Sequence, residues 1–177
     1  MPVLIGLLGV IAVAFFWVTR MRQAAEMTHE LANVAGDVMA AARRLGFRRR
    51  TNTHPVESIE EPALGIGALA QAFLELGGLP TEEQQDALIK SVQIHTGQSL
   101  QDAEETLILG RWLINQCNGP EPAIERLARK LAKLDRVGSF DPLMSVLNDI
   151  AHASRTGALS DKQLDALTEI ARYFKVQ

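Results

Sequence analysis

Apolar residues recur at intervals of three and four along most of this chain, and no stretch alternates apolar and polar residues with a β-branched bias. From residue 63 onward the pattern predicts helices near 63–76, 81–96, 99–117, 121–135, 141–155 and 160–174. Their starts are marked in the sequence. Thr81-Glu82-Glu83-Gln84 and Ser160-Asp161-Lys162-Gln163 read as capping boxes, in which a hydroxyl and a longer side chain exchange bonds with each other's backbone. Ser99 with Asp102 is a weaker version, and Asp141-Pro142 sets a cap before a first-turn proline. The expected class is all-α, a bundle of about six helices.

The first residues follow a different pattern. Pro2 to Val18, PVLIGLLGVIAVAFFWV, carries no charge. As a helix this run of seventeen residues reaches about 26 Å, the short end of a bilayer span. Phe15, Phe16 and Trp17 close it where an interfacial aromatic belt sits, and Arg20 and Arg22 follow as candidate headgroup contacts. A cleaved signal peptide needs a basic leading region, and only the terminal amine precedes this run. Ala12-Val13-Ala14 resembles a cleavage site but is followed by four more apolar residues. Residues 1–19 are therefore expected to be a retained transmembrane anchor, with residues 2–18 in the lipid bilayer. Arginines follow the span and none precede it. That expectation puts the N-terminus outside and the C-terminal domain in the cytoplasm, at a bacterial inner membrane.

Beyond the anchor, Ala24, Met27, Leu31, Val34, Val38, Ala41 and Leu45 continue an a/d seam in phase with Trp17. Residues 20–47 thus read as a juxtamembrane amphipathic helix. Three surfaces compete for its seam: a second copy in a homodimer, the protein's own C-terminal domain, and the membrane surface. Gly36 and the alanines weaken the first, because Ala buries little area. Arg43, Arg44, Arg48, Arg49 and Arg50 suit anionic headgroups only if the chain bends at Gly36 or Gly46, since a straight helix carries them roughly 40 Å past Val18. Residues 48–62, with two prolines and no apolar period, read as a linker to a helical domain over 63–177.

Within that domain one phrase occurs twice. GLPTEEQQDAL starts at Gly78 and GALSDKQLDAL at Gly157; seven of eleven positions are the same or alike at an offset of 79. Each copy begins with a glycine able to take the left-handed conformation that ends a helix, then starts the next helix at Thr81 or Ser160. Leu88 and Leu167 fall two turns in, on the face expected to be buried. The echo predicts two helical hairpins around two middle helices, a pseudo-symmetric bundle.

Charge divides the chain as well. Residues 20–50 hold seven Arg against Glu26, Glu30 and Asp37, a balance of +4, whereas residues 51–177 hold eleven basic and eighteen acidic side chains, a balance of −7. An acidic domain without a basic stripe argues against nucleic acid as a partner. The lone Cys117 excludes an intrachain disulfide and suits a reducing compartment. Leu113 and Ile114 at helical spacing favour a buried thiol over a reactive one.

The stretches ALAQAFLELGGLPTEEQQDALIKSV and LNDIAHASRTGALSDKQLDALTEIARYF resemble the opening and closing hairpins of TerB-like (tellurite-resistance) domains, and LQDAEETLILGRWLINQ suits that family's central helices. The resemblance covers about residues 63–177. A similar layout, one N-terminal anchor and then this domain, is found in DnaJ-like membrane chaperones. Here the J-domain signature is missing, since His54-Pro55 is followed by Val56 rather than Asp. The family's corners carry Asp-Gly with acidic partners that hold a metal. This chain has Gly77-Gly78 and Thr156-Gly157 instead, leaving Glu75, Glu82, Glu83 and Asp161 as weak metal candidates.

Little else carries chemistry. His29, His54, His95 and His152 never pair at the i+3 or i+4 spacing of helical zinc ligands. His152, one turn before the second corner, is the only one whose place could put it inside a pocket, and a satisfied, partly buried histidine is the alternative reading. No nucleophile elbow or phosphate loop occurs, and Gly65-Ile66-Gly67 lacks a preceding strand and a third glycine. Arg111 and Trp112 are candidate partner contacts, with a core role for Trp112 as the alternative. The sequence thus leads to a non-enzymatic, membrane-tethered interaction module with no cofactor and an unknown protein partner. The alternative is a metal- or stress-responsive sensor of TerB-like kind.

Overall fold

The computed structural model describes residues 35–153 and 158–174. The anchor expected at 1–19, the candidate headgroup contacts Arg20 and Arg22, and Gly157 all lie outside the described residues. Among the described residues no helix is long and apolar enough to cross a membrane.

The residues from Val38 onward make one compact unit. A helical stretch over 38–44 (α1) is followed by a short 3-10 turn at Pro55–Ser58 and six longer helices: α2 (Pro62–Leu76), α3 (Glu82–Thr96), α4 (Leu100–Gln116), α5 (Pro120–Leu134), α6 (Phe140–His152) and α7 (Asp161–Phe174). Among the described residues there is no strand. The all-α class and the six helices of the bundle stand as expected.

The bundle is built around α2. Twelve of its fifteen residues are buried, so it has no polar face and must be covered on all sides. Helices α4 and α5 pack most closely on it, with α3, α6 and α7 also in contact. The closeness of α4 depends on glycine: a Cβ on Gly67 would stand 2.3 Å from Thr106 Cγ2, and one on Gly110 would stand 3.0 Å from the Cα of Ala68. The first glycine pair of the domain is thus a packing device, not a fragment of a phosphate loop. By contrast α5, α6 and α7 are amphipathic and bury one stripe each. Leu127 and Leu131 of α5, Leu143 and Leu147 of α6 and Ile170 of α7 are almost fully enclosed.

Two expectations change here. Residues 48–62 lack a period but are not loose, because Val56 is 0% and Ile59 1% exposed. Polar ties hold the segment as well: Arg50 N donates to Ser58 Oγ, and Lys130 Nζ donates to Glu57 O. The start of α6 also differs. It begins at Phe140 with Ser139 as N-cap residue, so Asp141 lies inside the first turn and does not cap it. The Ser139 hydroxyl is buried and makes no hydrogen bond.

The seam of residues 38–47 rests on the chain's own core. Ala41 is fully buried, and Val38, Ala42, Leu45 and Phe47 pack against the same cluster. Arg44 Nε reaches Glu105 Oε1 at 2.9 Å. Of the three surfaces competing for the seam, the C-terminal domain takes this part of it.

Candidate functional site

The two copies of the repeated phrase meet in space. At the first, Gly77 N donates to Leu74 O (3.0 Å) and Gly78 N to Glu75 O (3.2 Å). Gly78 has φ +116°, a conformation in which a side chain is strained. Thr81 Oγ1 then accepts from Gln84 N, and Gln84 Oε1 accepts from Thr81 N, a complete capping box. At the second copy Ser160 and Gln163 exchange the same two bonds, at 3.3 and 3.0 Å.

Ser160 and Gln163 also do something their counterparts do not. Gln163 Nε2 donates to Phe73 O at 3.1 Å in a buried bond, and the Ser160 hydroxyl reaches Leu76 O at 3.4 Å. A helix leaves its last four carbonyls without partners inside the helix. In α2 these are Phe73, Leu74, Glu75 and Leu76. Gly77 and Gly78 satisfy the middle two, Gln163 satisfies Phe73, and the Ser160 hydroxyl is shared between Leu76 O at 3.4 Å and its own Gln163 Oε1 at 3.2 Å. The N-terminus of α7 is therefore the C-cap of α2.

Where the corners converge they enclose a cavity of about 400 Å³. Leu74, Leu79, Ile150 and Leu159 line it, beside the backbone of Gly77 and Gly78. Leu79 stands at 98% exposure, an apolar side chain left in solvent at the edge of an uncharged cavity whose lining also includes Gln84, Ser160 and Gln163.

The candidate metal residues are not drawn together. Glu75 Oε1 accepts from Gln71 Nε2 at 2.8 Å and lies 3.5 Å from Arg111 Nε. Glu82, Glu83 and Asp161 are exposed in the first turns of α3 and α7, where a negative charge suits the helix dipole. Among the described residues no three His, Cys, Asp or Glu side chains are grouped to hold a metal ion. Arg111 is thus engaged with Glu75. Trp112 is half-buried, with its ring edge-on to Phe47 at 6.2 Å between centroids. Phe47, in the segment after α1, thus covers part of this tryptophan.

His152 does not enter a pocket. It is exposed, and its Nδ1 bonds Asn148 O of its own helix at 2.8 Å. The histidine in a polar cluster is His95. Its Nε2 lies 3.0 Å from Asp149 Oδ2, and the buried Ser91 hydroxyl donates to the same oxygen at 2.6 Å. These three residue types suggest nucleophilic catalysis, but the connectivity does not. The serine gives its proton to the carboxylate rather than to the imidazole, so no base activates it. The Ser91 hydrogen bond, more than the contact with His95, holds the Asp149 carboxyl below its usual range. The cluster ties α3 to α6.

Cys117 is buried, as its spacing predicts. Burial pushes its thiol pKa up, and the charge of Arg126 offsets this only in part. A protonated thiol is a poor nucleophile.

No known family model, curated protein or solved structure matches the chain. The features sequence reading missed are the reach of Gln163 to α2 and the Ser91–Asp149–His95 cluster. For the first, the glutamine at the same place in both copies signals only a capping box, since Gln84 makes no such reach. The second joins residues more than fifty positions apart and had none.

Proposed function

We propose that this chain is a membrane-tethered protein-interaction module of TerB-like kind, without catalytic chemistry of its own. Residues 1–19 anchor it in a bacterial inner membrane, and the helical domain projects into the cytoplasm. The partner is a protein that inserts an apolar side chain into the cavity between the two corners. The observation carrying this reading is the exposed Leu79 beside a cavity lined by Leu74, Ile150 and Leu159. A large apolar side chain in full solvent gains roughly 1.5–3 kcal/mol when a partner covers it. The cavity lining holds no charged side chain, which suits an apolar anchor better than a metal ion or a charged substrate. The metal-responsive alternative rests on Glu75, Glu82, Glu83 and Asp161, and Glu75 is already engaged by Arg111.

The test places a photo-crosslinking residue at position 79 of the full chain in its own membranes. A discrete adduct that is lost when Ile150→Asp blocks the cavity supports the reading. Crosslinking unaffected by Ile150→Asp, or found only from position 111, would overturn it. Carbonate extraction that releases the full chain would separately remove the anchor.

A further inference from the structure

A second cavity, of about 430 Å³, lies beside α5, and His54, Gln116, Cys117, Asn118, Arg126 and Arg129 are among its lining residues. We propose that it binds a small oxyanion, a phosphate or carboxylate group, through the Arg126 guanidinium with the carboxamides of Asn118 and Gln116. This goes beyond the interaction reading, and neither depends on the other.

His54 is spent: its Nδ1 accepts from Val56 N, so Nε2 carries the proton and gives it to Gln116 O at 3.0 Å. Arg129 is half spent, 3.6 Å from Glu125 Oε1. Glu125, the one carboxylate of the lining, also accepts from Tyr173 OH at 3.2 Å. Arg126 is partly buried and has no ion-pair or hydrogen-bond partner among the described residues, and neither do the side-chain amides of Gln116 and Asn118. The cavity thus holds a partly buried guanidinium fork without a protein partner, beside two exposed amides whose donors face solvent. It holds no competing anion that is free, because the thiol beside Arg126 stays protonated.

The other cavities sharpen this. The groove between α5 and α7 sets Glu121, Glu125, Asp165 and Glu169 against Lys162 and Arg172, so it repels an anion. The corner cavity is uncharged. In a domain whose balance is −7, the Cys117 cavity has a lining of net +1, two Arg against one Glu. An arginine fork matches the two oxygens of a carboxylate or phosphate in a way that a point charge does not. A volume of this size also holds a small molecule with room for its hydration.

The experiment is calorimetric titration of the full chain in detergent with inorganic phosphate and, separately, with succinate. The expected result is one site per chain with Kd on the order of 1 mM or tighter for at least one of them. Which probe binds tighter tells a phosphate-bearing from a carboxylate-bearing ligand. Arg126→Gln should weaken binding at least about tenfold. Asn118→Gly keeps the left-handed backbone of Asn118, φ +65°, and removes only the amide; it should weaken binding about threefold to fivefold. Arg136→Gln, at an exposed arginine outside this cavity, should leave the affinity unchanged. Equal losses from Arg126→Gln and Arg136→Gln mean diffuse charge attraction and overturn the site. So does the absence of saturable heat with both probes.

Discussion

Gln84 and Gln163 occupy the same position in the two copies of one phrase, and their surroundings differ. Gln84 is half-exposed and its side chain serves its own capping box. Gln163 is 6% exposed, closes an equivalent box, and with its amide also caps the Phe73 carbonyl of α2. The helices that follow differ too. In α3 the buried residues are Leu88, Ser91 and Val92; in α7 they are Gln163, Ala166, Ile170 and Phe174. Leu167, the counterpart of the fully buried Leu88, is only half-buried. Ser91 and Ile170 are counterparts at the offset of 79 and both are buried, so the two stripes share that position and part at Leu88 and Leu167. The neighbours also disagree with a simple duplication: α6 lies chiefly against α3, and α7 chiefly against α5, rather than against each other. The second copy is a corner and not a packed hairpin. Shared capping chemistry therefore does not imply shared packing, and the pseudo-symmetric bundle expected from the echo does not form.

The largest test of that difference is Gln163→Leu against Gln84→Leu. The first should cost about 2–3 kcal/mol, because it leaves a buried carbonyl without a donor and removes a cap. The second should cost no more than about 1 kcal/mol, the price of an exposed cap alone. Chemical denaturation of both variants measures this, and equal losses would break the contrast between the corners. A smaller effect is expected at the glycines. Gly78→Ala forces a side chain into φ +116° and should cost about 1–2 kcal/mol. At Gly77 the backbone is ordinary, with φ −75°, but an added Cβ meets the Gln163 side chain at 3.0–3.3 Å. Gly77→Ala should therefore become less costly in a Gln163→Ala background. Additive losses would show that the corners do not touch in solution.

The six helices were legible because their signals are local. A hydroxyl three residues before a glutamine, or a glycine pair after an apolar run, acts on the backbone within one turn. What the sequence could not carry was where each element goes. Ser160 and Gln163 announce the start of α7, but their second role needs the end of α2, more than eighty residues earlier. Residues 48–62 show no period because a 3-10 turn and extended backbone have none, yet Val56 and Ile59 enter the core. Asp141 before Pro142 reads as a cap, but the helix begins earlier, where the Phe140 ring packs tilted against Phe174 at 5.6 Å. His152 was singled out for its nearness to the second corner along the chain. His95 is the partnered one because α3 packs on α6. The candidate site was half legible: both corners were visible in the sequence, but not the cavity their meeting makes.

The smallest effect concerns the helices on the far sides of the corners. Helix α3 leaves the first corner and α6 leads to the second, and Asp149 joins them through Ser91 and His95. If the corners are held together only at Ser160 and Gln163, breaking this tie should leave them intact. The Asp149 carboxyl is held below its ordinary value of 3.8, first by the Ser91 hydroxyl and then by His95, against the opposing effect of burial. A carboxyl whose pKa is lower folded than unfolded stabilises the fold above the unfolded value, and that contribution is lost as pH falls through the folded one. The side chain is 45% exposed, so solvent screens the interaction and the contribution at neutral pH should stay below about 1 kcal/mol. Asp149→Asn should therefore be slightly less stable than the native chain at pH 7. The deficit should shrink as pH drops below about 4 and vanish once the folded carboxyl is protonated, where both chains carry a neutral group. Denaturant unfolding across that range measures it. A deficit that persists unchanged in acid would mean that Asp149 acts through packing rather than charge. A large deficit accompanied by loss of the Gln163 effect would mean that the corners and the α3–α6 tie form one cooperative unit.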